Sequence, residues 1–260
     1  MDPTDRVVWV TGAARRLGRA VALDLARRGA HVAVHCHTSR NDAEHTAEAV
    51  RALGRRALVV EADLGDPAAI AQAADAVDDA FGRIDILVNN AANFLRTPLD
   101  DLTEAAWDRT LDVNLKGAAW CALEAARRMR RDGRGGKIVN LTDAAASRPG
   151  RHYLPYLVSK GGLETLTRAL AMEWAPEIQV NAVAPGLIAL DDDATQPERE
   201  RPIERPSKSM IERIPARRAG TADDVTTAVA FLIERGDYIT GQTLRIDGGR
   251  SLVATRYQVV

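Results

Sequence analysis

Short runs of β-branched and apolar residues alternate along this chain with longer stretches in which apolar positions recur at helical spacing. The short runs lie at 6–10, 30–35, 57–61, 84–89, 137–141, 178–183 and 243–246, and their length and composition are typical of buried strands. The Ala- and Leu-rich stretches lie at 16–28, 42–53, 67–81, 103–131, 155–174 and 222–234, where the spacing predicts helices. Strands and helices therefore alternate along most of the chain.

This alternation predicts the fold class. Strands joined through helices run parallel, and the crossovers are almost always right-handed and cover both faces of the sheet. We therefore expect an α/β fold: a single doubly wound (Rossmann) domain, spanning residues 1–260, with a seven-stranded parallel sheet flanked by helices. No internal repeat, low-complexity tract or glycine-rich linker marks a domain boundary in the sequence.

One segment interrupts the alternation. Residues 190–216 include three consecutive aspartates, several arginines and four prolines, which are Pro197, Pro202, Pro206 and Pro215. The segment follows the sixth predicted strand, and ligands of open parallel sheets bind at the carboxyl ends of the strands. We therefore expect a lid over a substrate site, and a solvated loop is the alternative.

Composition and charge narrow the classes of function. The 35 Lys and Arg residues nearly balance the 36 Asp and Glu residues, so a net charge of -1 gives no general attraction to nucleic acid or an anionic membrane. Two cysteines are too few for a disulfide scaffold or a four-thiolate zinc site. The N-terminus does not resemble an export signal and no long apolar run is present, so we expect a cytoplasmic protein without a nucleic-acid or membrane partner.

The first predicted strand leads into a turn that contains Gly12 and Gly18, in the sequence Thr-Gly-Ala-Ala-Arg-Arg-Leu-Gly. A glycine at such a turn lets the backbone approach a pyrophosphate group. A glycine at the start of the next helix lets that helix pack closely, so that its N-terminal amides face the phosphates. Because the pair lies in a strand-turn-helix unit, the sequence favours a dinucleotide-binding site.

From this turn onward the chain resembles the short-chain dehydrogenase/reductase family along nearly its whole length. The resemblance rests on the order and spacing of Thr11, Gly12, Gly18, Asp63, Leu64, Asn89, Asn90, Ala91, Asn114, Tyr156, Lys160, Asn181, Pro185, Gly186, Asp247, Gly248 and Gly249. It implies a Rossmann-fold oxidoreductase that acts on a small-molecule substrate with a nicotinamide cofactor. It also implies a homotetramer, with the helices at 103–131 and 155–174 as contact surfaces.

The resemblance assigns the catalytic residues as well. Tyr156 and Lys160 lie four residues apart, so a helix places them on one face. An ordinary tyrosine titrates near pH ~10, and a neighbouring ammonium group makes the phenol a better acid at neutral pH. By resemblance, Tyr156 donates a proton, Lys160 lowers the pKa of Tyr156 and binds the nicotinamide ribose, and Asn114 holds a water molecule that links Lys160 to solvent.

The turn after the second predicted strand distinguishes NAD from NADP. A carboxylate at this position would bind the ribose hydroxyls of NAD, but no acidic residue precedes Asp42 here. Arg16, Arg40, Ser39 and His37 can instead donate hydrogen bonds to a 2'-phosphate, so NADPH/NADP is the predicted cofactor. The predicted cofactor-binding residues are Gly12, Arg15, Arg16, Leu17, Gly18, His37, Ser39, Arg40, Asp63, Leu64, Asn90, Ala91, Ala92, Tyr156, Lys160, Pro185, Gly186 and Leu187.

A metal site is not expected. The sequence His35-Cys36-His37 contains possible ligands, but strand alternation places Cys36 on the opposite face from the two histidines.

Two positions depart from the pattern of the family, and both are similar to the pteridine reductase branch. Arg16 replaces the middle glycine of the turn, and Asp143 stands where the family has a catalytic serine, thirteen residues before Tyr156. The branch is also similar in Phe94, whose counterpart stacks on the pterin ring, and in Tyr153. The resemblance implies a substrate site formed by Arg16, Phe94, Asp143, Tyr153 and Tyr156.

The chemistry of Asp143 favours the same branch. In a dry site, the repulsion between an ionised carboxylate and a developing alkoxide costs on the order of several kcal/mol, which disfavours ketone reduction. A pterin instead presents an amino group and a ring N–H to the carboxylate, and needs a proton on a ring nitrogen. One alternative is a ketone reductase that resembles the β-ketoacyl-carrier-protein reductases, with Asp143 protonated. Another is a dinucleotide-sensing module without turnover, although such a sensor needs no proton donor.

Overall fold

The computed structural model describes residues 1–190 and 208–253. Within this part of the chain, seven strands form one sheet in the order β3-β2-β1-β4-β5-β6-β7, and every neighbouring pair is parallel. The strands are β1 Val7–Val10, β2 His31–Cys36, β3 Ala57–Glu61, β4 Ile86–Asn89, β5 Gly136–Leu141, β6 Ile178–Pro185 and β7 Thr243–Ile246. The predicted doubly wound α/β domain is confirmed.

Helices cover both faces of the sheet. They are α1 Arg16–Arg27, α2 Arg40–Ala52, α3 Pro67–Phe81, α4 Glu104–Leu111, α5 Ala118–Arg130, α6 Leu154–Trp174, α7 Lys208–Glu212 and α8 Ala222–Glu234. Strand alternation explains the two cores: Val8 and Val10 pack in the cluster with α1, α2 and α8, whereas Val7 and Trp9 pack in the cluster with α3, α5 and α6. The strands therefore contain apolar residues on both faces of the sheet.

The helix predicted at 103–131 contains a π-helical turn. This six-residue turn, Asp112–Gly117, joins α4 to α5, and the backbone keeps right-handed helical angles at both junctions. A π turn bonds each N–H one residue further along than an α turn and barely disturbs the apolar spacing, so the sequence pattern did not reveal it. The turn contains Asn114, whose side chain is buried.

The order of the strands determines where a ligand can bind. β1 lies between β2 and β4, and the connections leave these strands in opposite directions, which opens a crevice at their carboxyl ends. The predicted lid at 190–216 falls largely outside the described residues, which resume with α7. In the described part of that segment, Met210, Ile214 and Pro215 line the same crevice. In the described ranges, no helix is both long and apolar enough to cross a membrane.

Candidate active site

A cleft of about 2900 Å³ opens at the carboxyl ends of the strands. It is lined by all but two of the predicted catalytic and binding residues: Gly12, Arg15, Arg16, Leu17, Gly18, His37, Ser39, Asp63, Leu64, Asn90, Ala91, Ala92, Phe94, Asp143, Tyr153, Tyr156, Lys160, Pro185, Gly186 and Leu187. Arg40 and Asn114 do not line it. The predicted dinucleotide and substrate residues therefore share one continuous space.

The turn after β1 is built on two glycines and one asparagine. Gly12 has a φ of 63°, and a Cβ atom on Gly18 would lie 2.1 Å from the Gly12 carbonyl oxygen, so both positions require glycine. The side-chain amide of Asn90 donates to the carbonyl oxygens of Thr11 and Gly12 at 2.9 and 3.0 Å. The end of β4 thus holds the turn against the sheet.

Arg16 adopts a backbone conformation that usually belongs to glycine. Its φ is 53°, in the left-handed region, where a side chain costs about 1–2 kcal/mol. The sequence departure at this position is therefore also a strained backbone position. The first turn of α1 contains no acidic side chain, and Arg15 does not cap it through its side chain. The N-terminus of α1 keeps the positive end of its dipole toward the cleft.

Arg40 pairs with a carboxylate that the sequence reasoning missed. It lies 3.5 Å from Glu61 at the end of β3 and 3.7 Å from Glu44, and none of the three residues lines the cleft. His37 lies 3.9 Å from Asp63. Glu61 pairs in register with Cys36. Its position beside the end of β2 follows from the register of β2 with β3, which the sequence does not reveal.

Tyr156 and Asp143 form a direct hydrogen bond. The phenol donates to Oδ2 of Asp143 at 2.7 Å, while Oδ1 of Asp143 accepts from the backbone N–H of Ala145 at 2.7 Å. The ammonium group of Lys160 donates to the carbonyl oxygen of Leu141 at 2.7 Å and lies 5.8 Å from the centre of the Tyr156 ring. All three predicted groups converge at the end of β5, and Tyr156 and Lys160 are buried.

Burial dominates the titration of this group. Burial, and then the charge and hydrogen bond of Asp143, raise the pKa of Tyr156 well above its ordinary value. Burial lowers the pKa of Lys160 to about 8, with Asp143 opposing the shift. This direction is opposite to the lowering that was expected from Lys160, because the phenol is buried and donates its hydrogen bond to the Asp143 carboxylate. The phenol is therefore protonated at neutral pH.

Asn114 braces the loop that follows β4. Its amide group donates to the carbonyl oxygen of Asn93 at 3.0 Å and to Oγ of Ser159 at 3.1 Å, and its oxygen accepts from the N–H of Asn93 at 2.7 Å. These bonds tie the loop to α6 beside Lys160. The predicted link through water from Asn114 to Lys160 stays a prediction.

Three aromatic rings meet beside the phenol of Tyr156. The Phe94 ring stacks on Tyr153, with centroids 4.7 Å apart and planes 5° apart, and meets Tyr156 edge to face at 4.6 Å. The sequence indicated Phe94 and Tyr153 as substrate residues but did not indicate that they contact each other. Phe94 remains 49% exposed toward the cleft. The three rings therefore form an aromatic wall of the cleft.

The chain is similar to known proteins along nearly its whole length. The family described as enoyl-(acyl carrier protein) reductase matches residues 12–251. A short-chain type dehydrogenase/reductase of Picea abies is 37% identical and covers 94% of this chain and 92% of its own length. A 3-oxoacyl-[acyl-carrier-protein] reductase of Staphylococcus aureus is 38% identical, with 92% and 96% covered.

A solved structure supports the same assignment. The short chain dehydrogenase of Burkholderia cenocepacia in complex with NADP is 36% identical, superposes with a TM-score of 0.86, and covers 96% of this chain and 99% of its own. The family match, the relatives and the geometry of Tyr156 and Lys160 agree. The chain belongs to the short-chain dehydrogenase/reductase family.

Proposed function

We propose that this protein is an NADPH-dependent reductase that transfers hydride to a C=N bond of a pterin-like substrate, taking a dihydropterin or dihydrofolate to its tetrahydro form. The observation that carries the proposal is the hydrogen bond of 2.7 Å from Tyr156 to Asp143. A second observation supports it: the aromatic wall formed by Phe94 and Tyr153 suits a flat heterocycle, and ring stacking contributes about 1–3 kcal/mol.

The Asp143 carboxylate discriminates between substrates by the sign of their partial charges. A ketone oxygen gains negative charge during reduction and needs donors, but an ionised carboxylate can only accept hydrogen bonds. A pterin edge carries amino and ring N–H donors, which a carboxylate can bind without repulsion. The substrate proposed is therefore rich in donors where it faces Asp143.

Tyr156, Asp143 and Lys160 manage the proton that accompanies the hydride. When bound, NADPH supplies the hydride. Tyr156 holds its proton at neutral pH and delivers it to the ring nitrogen beside the reduced carbon, while Asp143 orients the phenol and the donor edge of the substrate. Lys160, held by the carbonyl oxygen of Leu141, provides the buried positive charge that offsets Asp143 and binds the ribose.

The proposed preference for NADPH over NADH rests on the side chains that follow β1 and β2. Arg16, His37 and Ser39 line the end of the cleft where a 2'-phosphate would lie. Arg40 contributes less than the sequence suggested, because it does not line the cleft and pairs with Glu61 and Glu44 at the surface. The structural relative from Burkholderia cenocepacia, which holds NADP, supports NADPH for this chain.

A ketone reductase is the second candidate, because the relatives from Staphylococcus are 3-oxoacyl-[acyl-carrier-protein] reductases. In that case Asp143 would work protonated and donate to the ketone oxygen. The resemblance to the family also supports a homotetramer. Trp120 on α5 and Val158 on α6 are large apolar side chains that are each 40% exposed, which suits contact between subunits through these helices.

Replacement of Arg16 tests the cofactor. Arg16→Ala should raise the Kd of NADPH about ten- to a hundredfold, since a charged hydrogen bond contributes about 1.5–3 kcal/mol, and should leave the Kd of NADH nearly unchanged. Arg16→Gly is the matched control: it removes the same charge and also relieves the left-handed strain, so it should unfold at higher denaturant concentration than Arg16→Ala. Equal affinities of the unaltered protein for NADPH and NADH would contradict the preference.

The pH dependence of kcat/KM tests the role of Lys160. This parameter reports the free enzyme, in which the pKa of Lys160 is about 8 and that of Tyr156 is far higher. Lys160 loses its proton as the pH rises, so kcat/KM for NADPH should fall through about pH 8. Tyr156→Phe should be inactive at every pH while still binding NADPH. A rate that stays constant to the ordinary pKa of lysine would show that Lys160 is not the titrating group.

Exchange of Asp143 tests the substrate. Asp143→Ser restores the residue that the family uses, so reduction of a dihydropterin should fall about ten- to a hundredfold, the value of one charged hydrogen bond, while β-ketoester reduction stays equal or improves. Asp143→Asn is the matched control, because it keeps the shape and removes the charge; it should lose pterin activity as Asp143→Ser does. Robust β-ketoester reduction by the unaltered enzyme, without dihydropterin activity, would refute the pterin proposal in favour of the ketone reductase.

A further inference from the structure

The imidazole ring of His35 is buried between the glycine turn and the segment that follows β3. It is 2% exposed. Its Nδ1 accepts the backbone N–H of Gly12 at 3.0 Å, and its Nε2 lies 3.0 Å from the carbonyl oxygen of Ala62. His35 is the penultimate residue of β2, so one side chain bridges the loops that follow β1 and β3.

These two contacts define one protonation state. The N–H of Gly12 can only donate, so Nδ1 must carry a lone pair. The carbonyl oxygen of Ala62 can only accept, so Nε2 must carry the hydrogen. The neutral ring with hydrogen on Nε2 is therefore the form that satisfies both partners. A proton on Nδ1 would place two N–H groups against each other across 3.0 Å.

The backbone repeats the same connection. The carbonyl oxygen of His35 accepts the N–H of Ala13 at 2.8 Å, and the N–H of Ala62 donates to Cys36 at 3.1 Å. The turn at Gly12 is thus anchored to β2 at two adjacent amides, one through the main chain and one through the imidazole. The contact with Ala62 extends the anchor to the residue before Asp63.

We propose that neutral His35 is a positioning residue for the cofactor site, which sets the glycine turn and the segment at Asp63 in the arrangement that binds NADPH. The inference rests on the cofactor proposed above but is independent of the substrate. His35 touches neither Tyr156 nor Lys160 through its described hydrogen bonds, so it acts on cofactor affinity rather than on the chemical step.

The surroundings of His35 make its ring resist protonation. Burial lowers the pKa of His35 to about 4, with the charge of His37 acting in the same direction and Asp63 and the contact with Ala62 opposing it. Arg15 and Arg16 of the glycine turn line the same cleft. The ordinary pKa is 6.5, so the unfolded chain binds a proton between pH 6.5 and 4 that the folded protein rejects. The contribution of His35 to the free energy of unfolding is therefore fully present above pH 6.5 and is lost as the pH decreases toward 4.

Steady-state kinetics on two His35 variants test the positioning role. His35→Leu removes both ring contacts and should raise the KM for NADPH at least about tenfold, with kcat at saturating NADPH changed less than about threefold. His35→Asn keeps an acceptor for Gly12 and loses the contact with Ala62, so its KM for NADPH should lie between that of the unaltered protein and that of His35→Leu. His45→Asn, at an exposed histidine on α2, is the matched control and should behave like the unaltered protein. An unchanged KM for NADPH in a destabilised His35→Leu protein would reduce His35 to a structural residue and overturn the proposal.

Two further measurements keep the proposal falsifiable if His35→Leu does not fold. Nitrogen chemical shifts of the five histidines in the unaltered protein, with His35 assigned from His35→Asn, should show a neutral Nε2–H ring at pH 6; a charged ring or the other tautomer would overturn it. Between pH 6.5 and 4, the unfolding constant of the unaltered protein should rise up to about tenfold more per pH unit than that of His35→Asn. If the unaltered protein bound no NADP⁺ in calorimetry, the proposed cofactor would be wrong instead.

Discussion

The hydrogen bond between Tyr156 and Asp143 is the interaction on which the chemistry of this site depends. It places a carboxylate against the buried phenol of Tyr156 at the wall of the cleft. A phenol in that position keeps its proton at neutral pH. A serine would leave the phenol free and present a donor instead. One residue therefore changes the kind of substrate edge that the cleft can bind.

The fold supports this pair through a buried polar chain that crosses three elements. The amide of Asn89 on β4 donates to Asn140 on β5 at 2.9 Å, and Asn140 donates to Thr167 on α6, also at 2.9 Å. These bonds keep α6, which carries Tyr156 and Lys160, in position against the end of β5, which leads to Asp143. Buried polar groups are stable only when they are paired, so the chain also specifies the position of α6. The precision of the site comes from this frame.

Much of this arrangement could be predicted from the sequence because it depends on local pattern. The runs of β-branched residues identified the strands, and the spacing of Tyr156 and Lys160 placed them on one helix face. Contacts between segments far apart in the chain could not be predicted. Glu61 reaches Arg40 through the register of β2 with β3, and His35 on β2 reaches Gly12 in the turn after the neighbouring strand β1.

The sign of the pKa shift of Tyr156 was also beyond the sequence. It depends first on how deeply the phenol is buried and then on the Asp143 carboxylate, which accepts its hydrogen bond at 2.7 Å, and both are set by the fold. The stacking of Phe94 on Tyr153 is similar: the sequence placed both residues at the site, and only the fold brings the rings face to face.

The tyrosinate absorbance of the cofactor-free protein measures whether burial and Asp143 keep the proton of Tyr156 on the phenol. The protein has four tyrosines, so titration of the unaltered protein and of Tyr156→Phe isolates the ionisation of this phenol by difference. We expect no difference in tyrosinate absorbance between the two proteins up to about pH 10, the ordinary pKa of a tyrosine. Ionisation of Tyr156 below about pH 8 would contradict it, because Lys160 rather than Asp143 would then control the phenol.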